Sequence, residues 1–238
     1  MRRKGSILSA SAKLSCNQDG EKYMKKRILC YGDSNTWGYI PGTAFRYEDD
    51  VRWTGVLKNR LGDGFTVLED GISGRTTVFD QEWARGRNGL KGLDYSLQSQ
   101  MPLDLVTVML GTNDVSDLGM WRVELGIDEI VRTLMCADSI VRTNSPIFPN
   151  GPKVLLIAPP PFHPHCLSDP DSTVTEAMYL GSLKFPEICA RVAKNRGAYF
   201  LDGSKAAEVS EADNTHLTET GHRNLGNLVA DKILNIFS

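Results

Sequence analysis

Three segments of this chain are apolar almost without interruption: Ile28-Leu29-Cys30-Tyr31, Val106-Thr107-Val108-Met109-Leu110 and Val154-Leu155-Leu156-Ile157-Ala158. A strand with one wet face alternates apolar and polar residues. A strand apolar at every position is buried on both faces, as in a parallel sheet covered by helices. Two further short segments, Phe65–Glu69 and Ala198–Leu201, complete five expected strands, the first three being Arg27–Tyr31, Leu105–Leu110 and Lys153–Ala158. Helical spacing fills the gaps: Val51–Leu61, Ile127–Ile140, Val174–Asn195 and Glu219–Ile236. Strand and helix in alternation give an α/β fold with one doubly wound, flavodoxin-like, five-stranded parallel sheet and helices on both faces.

Composition narrows what such a fold does. The chain has 238 residues, 41% hydrophobic and 24% charged, enough for a normal core without metal or disulfide support. The length alone would allow two domains, but no repeat or linker divides it, so residues 24–238 are expected to form one. A net charge of −2 argues against nucleic acid as a partner, and no apolar stretch approaches the roughly 20 residues that cross a bilayer. The five cysteines, at 16, 30, 136, 166 and 189, are scattered and show no paired spacing. They read as reduced thiols in a cytoplasmic protein. Residues 1–23 carry Arg2, Arg3 and Lys4 but too short an apolar run for an export signal, so a disordered extension or a mis-assigned start is expected there.

The ends of the strands carry the chemistry. The first runs into Gly32-Asp33-Ser34, which puts a serine just beyond the carboxyl edge of the sheet, where open α/β sheets bind ligands. Gly-Asp-Ser is also an ordinary turn, so the serine counts as a nucleophile only if a base can reach it. Of the four histidines, His216 has Asp213 three residues before it, a spacing that brings a carboxylate to Nδ1 and frees Nε2 for the serine proton. The same spacing arises by chance in capped turns. The third strand ends in Gly111-Thr112-Asn113-Asp114, where the Asn113 amide can face an oxyanion, and the second in Asp70-Gly71-Ile72-Ser73-Gly74, where Gly74 offers a bare backbone N–H. Each fits a plain turn when taken singly. All four at one edge of one sheet are a constellation.

That set, Ser34, Gly74, Asn113 and His216, resembles the SGNH (GDSL-type) hydrolase superfamily from Arg27 onward. Gly32-Asp33-Ser34-Asn35-Thr36-Trp37-Gly38-Tyr39-Ile40-Pro41, Arg52-Trp53-Thr54-Gly55, Met109 to Asp114 and Ala158-Pro159-Pro160-Pro161 are similar to its bacterial arylesterase/acyltransferase branch. The resemblance implies a serine esterase acting on small aryl or alkyl esters without metal or organic cofactor. It implies Ser34, His216 and Asp213 as catalytic residues, and Ser34, Gly74 and Asn113 as oxyanion donors. Acyl transfer to alcohols or peroxide, and a homo-oligomer, occur in that branch. Alternatives within the superfamily are a sugar deacetylase or a lysophospholipase; outside enzymes, an idle binding protein. One departure is Asn35, where the closest relatives are expected to carry leucine.

Trp37, Asn35 and Phe162 are the candidate pocket residues. His163, His165 and Cys166 lack a clear third and fourth partner for a metal. His222 is expected at the surface, and Arg75, Arg85 and Arg87 on a solvated face or at a subunit contact.

Overall fold

The computed structural model describes residues 25–81 and 84–238; the expected extension over residues 1–23 lies outside them. The strands are β1 (Lys26–Gly32), β2 (Phe65–Gly71), β3 (Leu105–Met109), β4 (Val154–Ala158) and β5 (Tyr199–Asp202). They pair in parallel in the order β2-β1-β3-β4-β5. The helices are α1 (Ser34–Trp37), α2 (Trp53–Leu61), α3 (Gly89–Gln100), α4 (Trp121–Met135), α5 (Ala137–Ile140), α6 (Glu176–Ser182), α7 (Phe185–Arg196) and α8 (Glu219–Phe237).

The apolar runs are continuous because each face of the sheet has its own core. Ile28 and Cys30 of β1, Leu105 and Met109 of β3, and Leu155 and Ile157 of β4 pack with α2 and α8. Leu29, Tyr31, Val106, Val108, Leu156 and Ala158 point the other way, to α3, α4 and α7. Alternate residues thus serve opposite cores, and none of them meets water. The edge strands β2 and β5 are only half-buried, which is why their sequences are less uniformly apolar.

Three elements differ from expectation. The segment Val174–Asn195 divides into α6 and α7, because Pro186 opens a new first turn where its missing N–H costs nothing. Ile127–Ile140 begins earlier, at Trp121, and breaks at Cys136 into α4 and α5. Helix α3 was not expected at all: it turns Leu93 and Leu97, with Leu90 half-buried beside them, to the core, and Asn88 starts it by accepting the Lys91 N–H.

His222 is buried rather than exposed. Its Nδ1 accepts the backbone N–H of Trp53 at 3.2 Å, which caps the start of α2 where Arg52 supplies no side-chain cap. That bond needs the neutral ring. Burial, with the charges of Arg52 and His216, pushes its pKa from 6.5 down to about 3. The unfolded chain takes up this proton below pH 6.5 and the folded chain does not. The stabilisation is therefore complete above pH 6.5 and declines as pH falls toward 3, by about 1.4 kcal/mol per pH unit at most. Asp33 and Asp114 act in the opposite sense. Burial raises them to about 6 and about 7, so their contribution is present at low pH and is lost as pH rises through those values. Comparison with His222→Gln isolates the histidine: urea unfolding of wild type should lose stability relative to the variant between pH 6 and 4.5. Parallel curves would refute the assignment.

Among the described residues no helix is long and apolar enough to cross a membrane. Cys30, Cys136, Cys166 and Cys189 are free; Cys136 is exposed and the other three are buried.

Candidate active site

Strand β1 lies between β2 and β3, so the chain leaves it in one direction and returns on its other side. A crevice opens at the carboxyl ends of the strands around such a switch point. Gly32 is level with Gly71 of β2 and Met109 of β3, so the three strands end together. Only glycine fits at 32, since a Cβ there would lie 2.0 Å from Thr36 Oγ1 and 2.9 Å from the Met109 carbonyl. Asp33 caps α1 by accepting the Asn35 N–H at 3.0 Å, and Gly38 closes the helix in the left-handed region with φ 89°. Ser34 is thereby held at the first position of a single rigid turn.

The other end of the chain meets it there. His216 Nε2 lies 2.9 Å from Ser34 Oγ, and His216 Nδ1 lies 2.8 Å from Asp213 Oδ2. Asp213 Oδ1 accepts the backbone N–H groups of Thr215 and His216, and Oδ2 accepts that of Gly42 at 3.0 Å. Burial opposes ionisation of Asp213, but the hydrogen bonds from the ring and backbone of His216, with that from Gly42, outweigh it and hold the carboxyl at about 2. An ionised Asp213 fixes the proton of His216 on Nδ1, which leaves Nε2 as an acceptor facing the serine. Tyr39 stacks on the imidazole, with ring centres 4.3 Å apart.

Asn113 sits in a tight turn after β3, following Gly111 at φ 119°. One of its two amide hydrogens goes to the Arg75 carbonyl at 3.0 Å, which fixes the amide and leaves the second hydrogen for a ligand. Gly74 adopts φ 77° in the loop after β2, next to Arg75. Arg75 is not on a solvated face. It is 2% exposed, donates to the Gly32 and Asp70 carbonyls and the Asp70 carboxylate, and lies over the Tyr31 ring at 4.0 Å. It fastens the Gly74 loop to the end of β1. Asp114 does the same for the Asn113 turn, accepting the N–H and hydroxyl of Thr77, both at 2.9 Å. Arg87 donates to the Ser73 carbonyl, and Arg85 is exposed.

Beside this group is a cleft of about 400 Å³ lined by Trp37, Tyr39, Ala44, Gly71, Ile72, Ser73 and Arg87. Of the three expected pocket residues only Trp37 lines it. Phe162 leaves the proline segment after β4 and is buried among the core residues, with Cys166, Val174 and Phe185. Asn35 turns inward, its amide spent on the backbone around His216. Tyr39 and Gly42 were missed: nothing in a lone tyrosine or glycine at the start of a loop indicates that the loop folds back over a histidine far along the chain. His163 accepts the His165 N–H and comes within 4.0 Å of Glu211; among the described residues no three His, Cys, Asp or Glu side chains are grouped to hold a metal ion.

Residues 30–223 match the GDSL-like lipase/acylhydrolase family. The chain is 34% identical to the aryl esterase of M. smegmatis, covering 88% of this chain and 99% of that one, with a TM-score of 0.79. It is 33% identical to Est24, a carbohydrate acetylesterase from Sinorhizobium meliloti, covering 90% and 100%, with a TM-score of 0.81. A second carbohydrate acetylesterase family member from Sinorhizobium meliloti is 29% identical over 89% and 98%, with a TM-score of 0.77. No curated protein matches the chain.

Proposed function

Because the chain belongs to the GDSL-like lipase/acylhydrolase family and is a carboxylic ester hydrolase, we propose that it hydrolyses small aryl and alkyl esters through an acyl-enzyme on Ser34. The contact of 2.9 Å between Ser34 Oγ and His216 Nε2 carries this reading. His216 takes the serine proton as Oγ attacks the ester carbonyl. The Ser34 and Gly74 N–H groups and the free hydrogen of Asn113 receive the negative charge that develops on the carbonyl oxygen, where each well-placed donor is worth about 3 kcal/mol. His216 then gives its proton to the departing alkoxide or phenoxide. Water, activated by the same imidazole, releases the acid. An alcohol or peroxide in place of that water gives the acyltransferase and perhydrolase side reactions.

The size of the cleft supports a small substrate. At about 400 Å³ it is near the lower end for ligand pockets, and Trp37 and Tyr39 give it aromatic walls. A second reading, removal of acetyl groups from sugars, is favoured by the polar side of the same cleft, where Arg87 offers a guanidinium to ring hydroxyls. A panel of p-nitrophenyl acetate, butyrate and octanoate with a peracetylated sugar separates the readings. The acetate and butyrate should turn over at least tenfold faster in kcat/KM than the octanoate, with a fluorophosphonate labelling Ser34 alone. Preference for the octanoate would overturn the small-ester reading, and preference for the sugar would move it to a deacetylase.

A further inference from the structure

The buried amide of Asn35 spans the candidate nucleophile and base. It is 2% exposed and lines no part of the cleft. Its Oδ1 accepts the Leu217 N–H at 3.0 Å, and its Nδ2 reaches the Thr215 carbonyl at 3.4 Å. Those two backbone groups bracket His216. The main chain of Asn35 is itself fixed, since its N–H goes to Asp33 and the Gly38 N–H returns to the Ser34 carbonyl at 2.8 Å. One side chain on the residue after the serine therefore sets the position of the backbone on both sides of the histidine.

We propose that Asn35 is a positioning residue that holds His216 in register with Ser34. The proposal rests on the esterase reading given above. Other ties of the His216 loop run elsewhere: the His216 carbonyl accepts from Ser210, the Asn214 carbonyl from His163, and the Asn214 side chain donates to Asp169, while the Gly42 N–H on Asp213 and the Tyr39 ring on His216 come from the loop that follows α1. They shape the loop, while the Asn35 amide refers it to the serine's own turn. Proton transfer between oxygen and nitrogen tolerates little error, and a misplacement of about 1 Å can cost about a hundredfold in rate. Leucine at 35 would fill the same volume but leave the Leu217 N–H facing hydrocarbon.

The test compares wild type, Asn35→Leu, Asn35→Ala and Asn35→Asp on p-nitrophenyl acetate, at a temperature where thermal melts show each fully folded. The low-field Nδ1 proton of His216 is followed by NMR in parallel. Asn35→Leu and Asn35→Ala should lose about 10- to 100-fold in kcat with KM within about twofold, and the Nδ1 resonance should broaden or shift. Asn35→Asp keeps an acceptor for Leu217 and should fall between them and wild type. If Asn35→Leu does not fold, the alanine and aspartate variants give the same ordering. Unchanged kcat and resonance, or a change confined to KM, would overturn the positioning role while leaving the esterase reading intact. Absence of turnover in wild type would overturn both.

Discussion

Replacing Ser34 with alanine is expected to lower kcat on a small aryl ester by about 10⁵–10⁶, with KM little changed. The alanine Cβ occupies space already filled by the serine Cβ, so the first turn of α1 and its caps at Asp33 and Gly38 stay in place. What disappears is the atom proposed to form the acyl-enzyme. The proposed oxyanion donors remain, so a small residual rate above water should persist, carried by Asn113 and the backbone N–H groups. Two further observations belong to the same experiment. A rapid burst of p-nitrophenol, expected of wild type if deacylation is slow, should vanish, and fluorophosphonate should no longer attach. Because the variant removes a hydrogen bond and creates no cavity of consequence, its unfolding free energy should differ from wild type by about 1 kcal/mol. Turnover within tenfold of wild type would refute Ser34 as the nucleophile and would direct attention to another residue at the same sheet edge.

What could be read from the sequence follows the range of the forces involved. Continuous apolar runs report burial on two faces, which is a local property, and β1, β3 and β4 were accordingly found within a residue or two. The residues at the strand ends could be read because turn chemistry is local as well: Gly32 must lack a Cβ, and Asp213 reaches a ring three residues on. The errors fall where a side chain finds its partner far along the chain. His222 looked like a surface residue near a helix start, yet it caps a helix 169 residues earlier. Asn35 looked like part of a pocket wall because it stands beside the serine, yet its amide is satisfied by backbone 180 and 182 residues away. Arg75 looked solvated because arginine usually is, but the carbonyl ends of β1 and β2 gather acceptors that a guanidinium satisfies. Helix α3 was overlooked because its stripe of Leu90, Leu93 and Leu97 is interleaved with Gly89, Gly92, Ser96 and Ser99, residue types that favour turns.

Changing Asp213 to asparagine should cost about 10⁴ in kcat while leaving the fold intact. The carboxylate has no spare acceptor to give up. One oxygen takes the N–H groups of Thr215 and His216, and the other takes the Nδ1 proton and the Gly42 N–H. An asparagine must place its NH2 on one of these sides. Facing the backbone pair, it sets donor against donor and pushes the His216 loop away from Ser34. Facing the ring, it confronts the Nδ1 proton, and the imidazole escapes by moving that proton to Nε2. In that tautomer Nε2 points a hydrogen at Ser34 Oγ, at a distance of 2.9 Å in the wild type, and cannot accept one. Either arrangement removes the base without removing the histidine. With its carboxyl held at about 2, Asp213 stays ionised through the pH range of an assay, so the loss in Asp213→Asn should be of similar size across that range. A loss below tenfold would mean that Asp213 shapes the turn but does not orient the base.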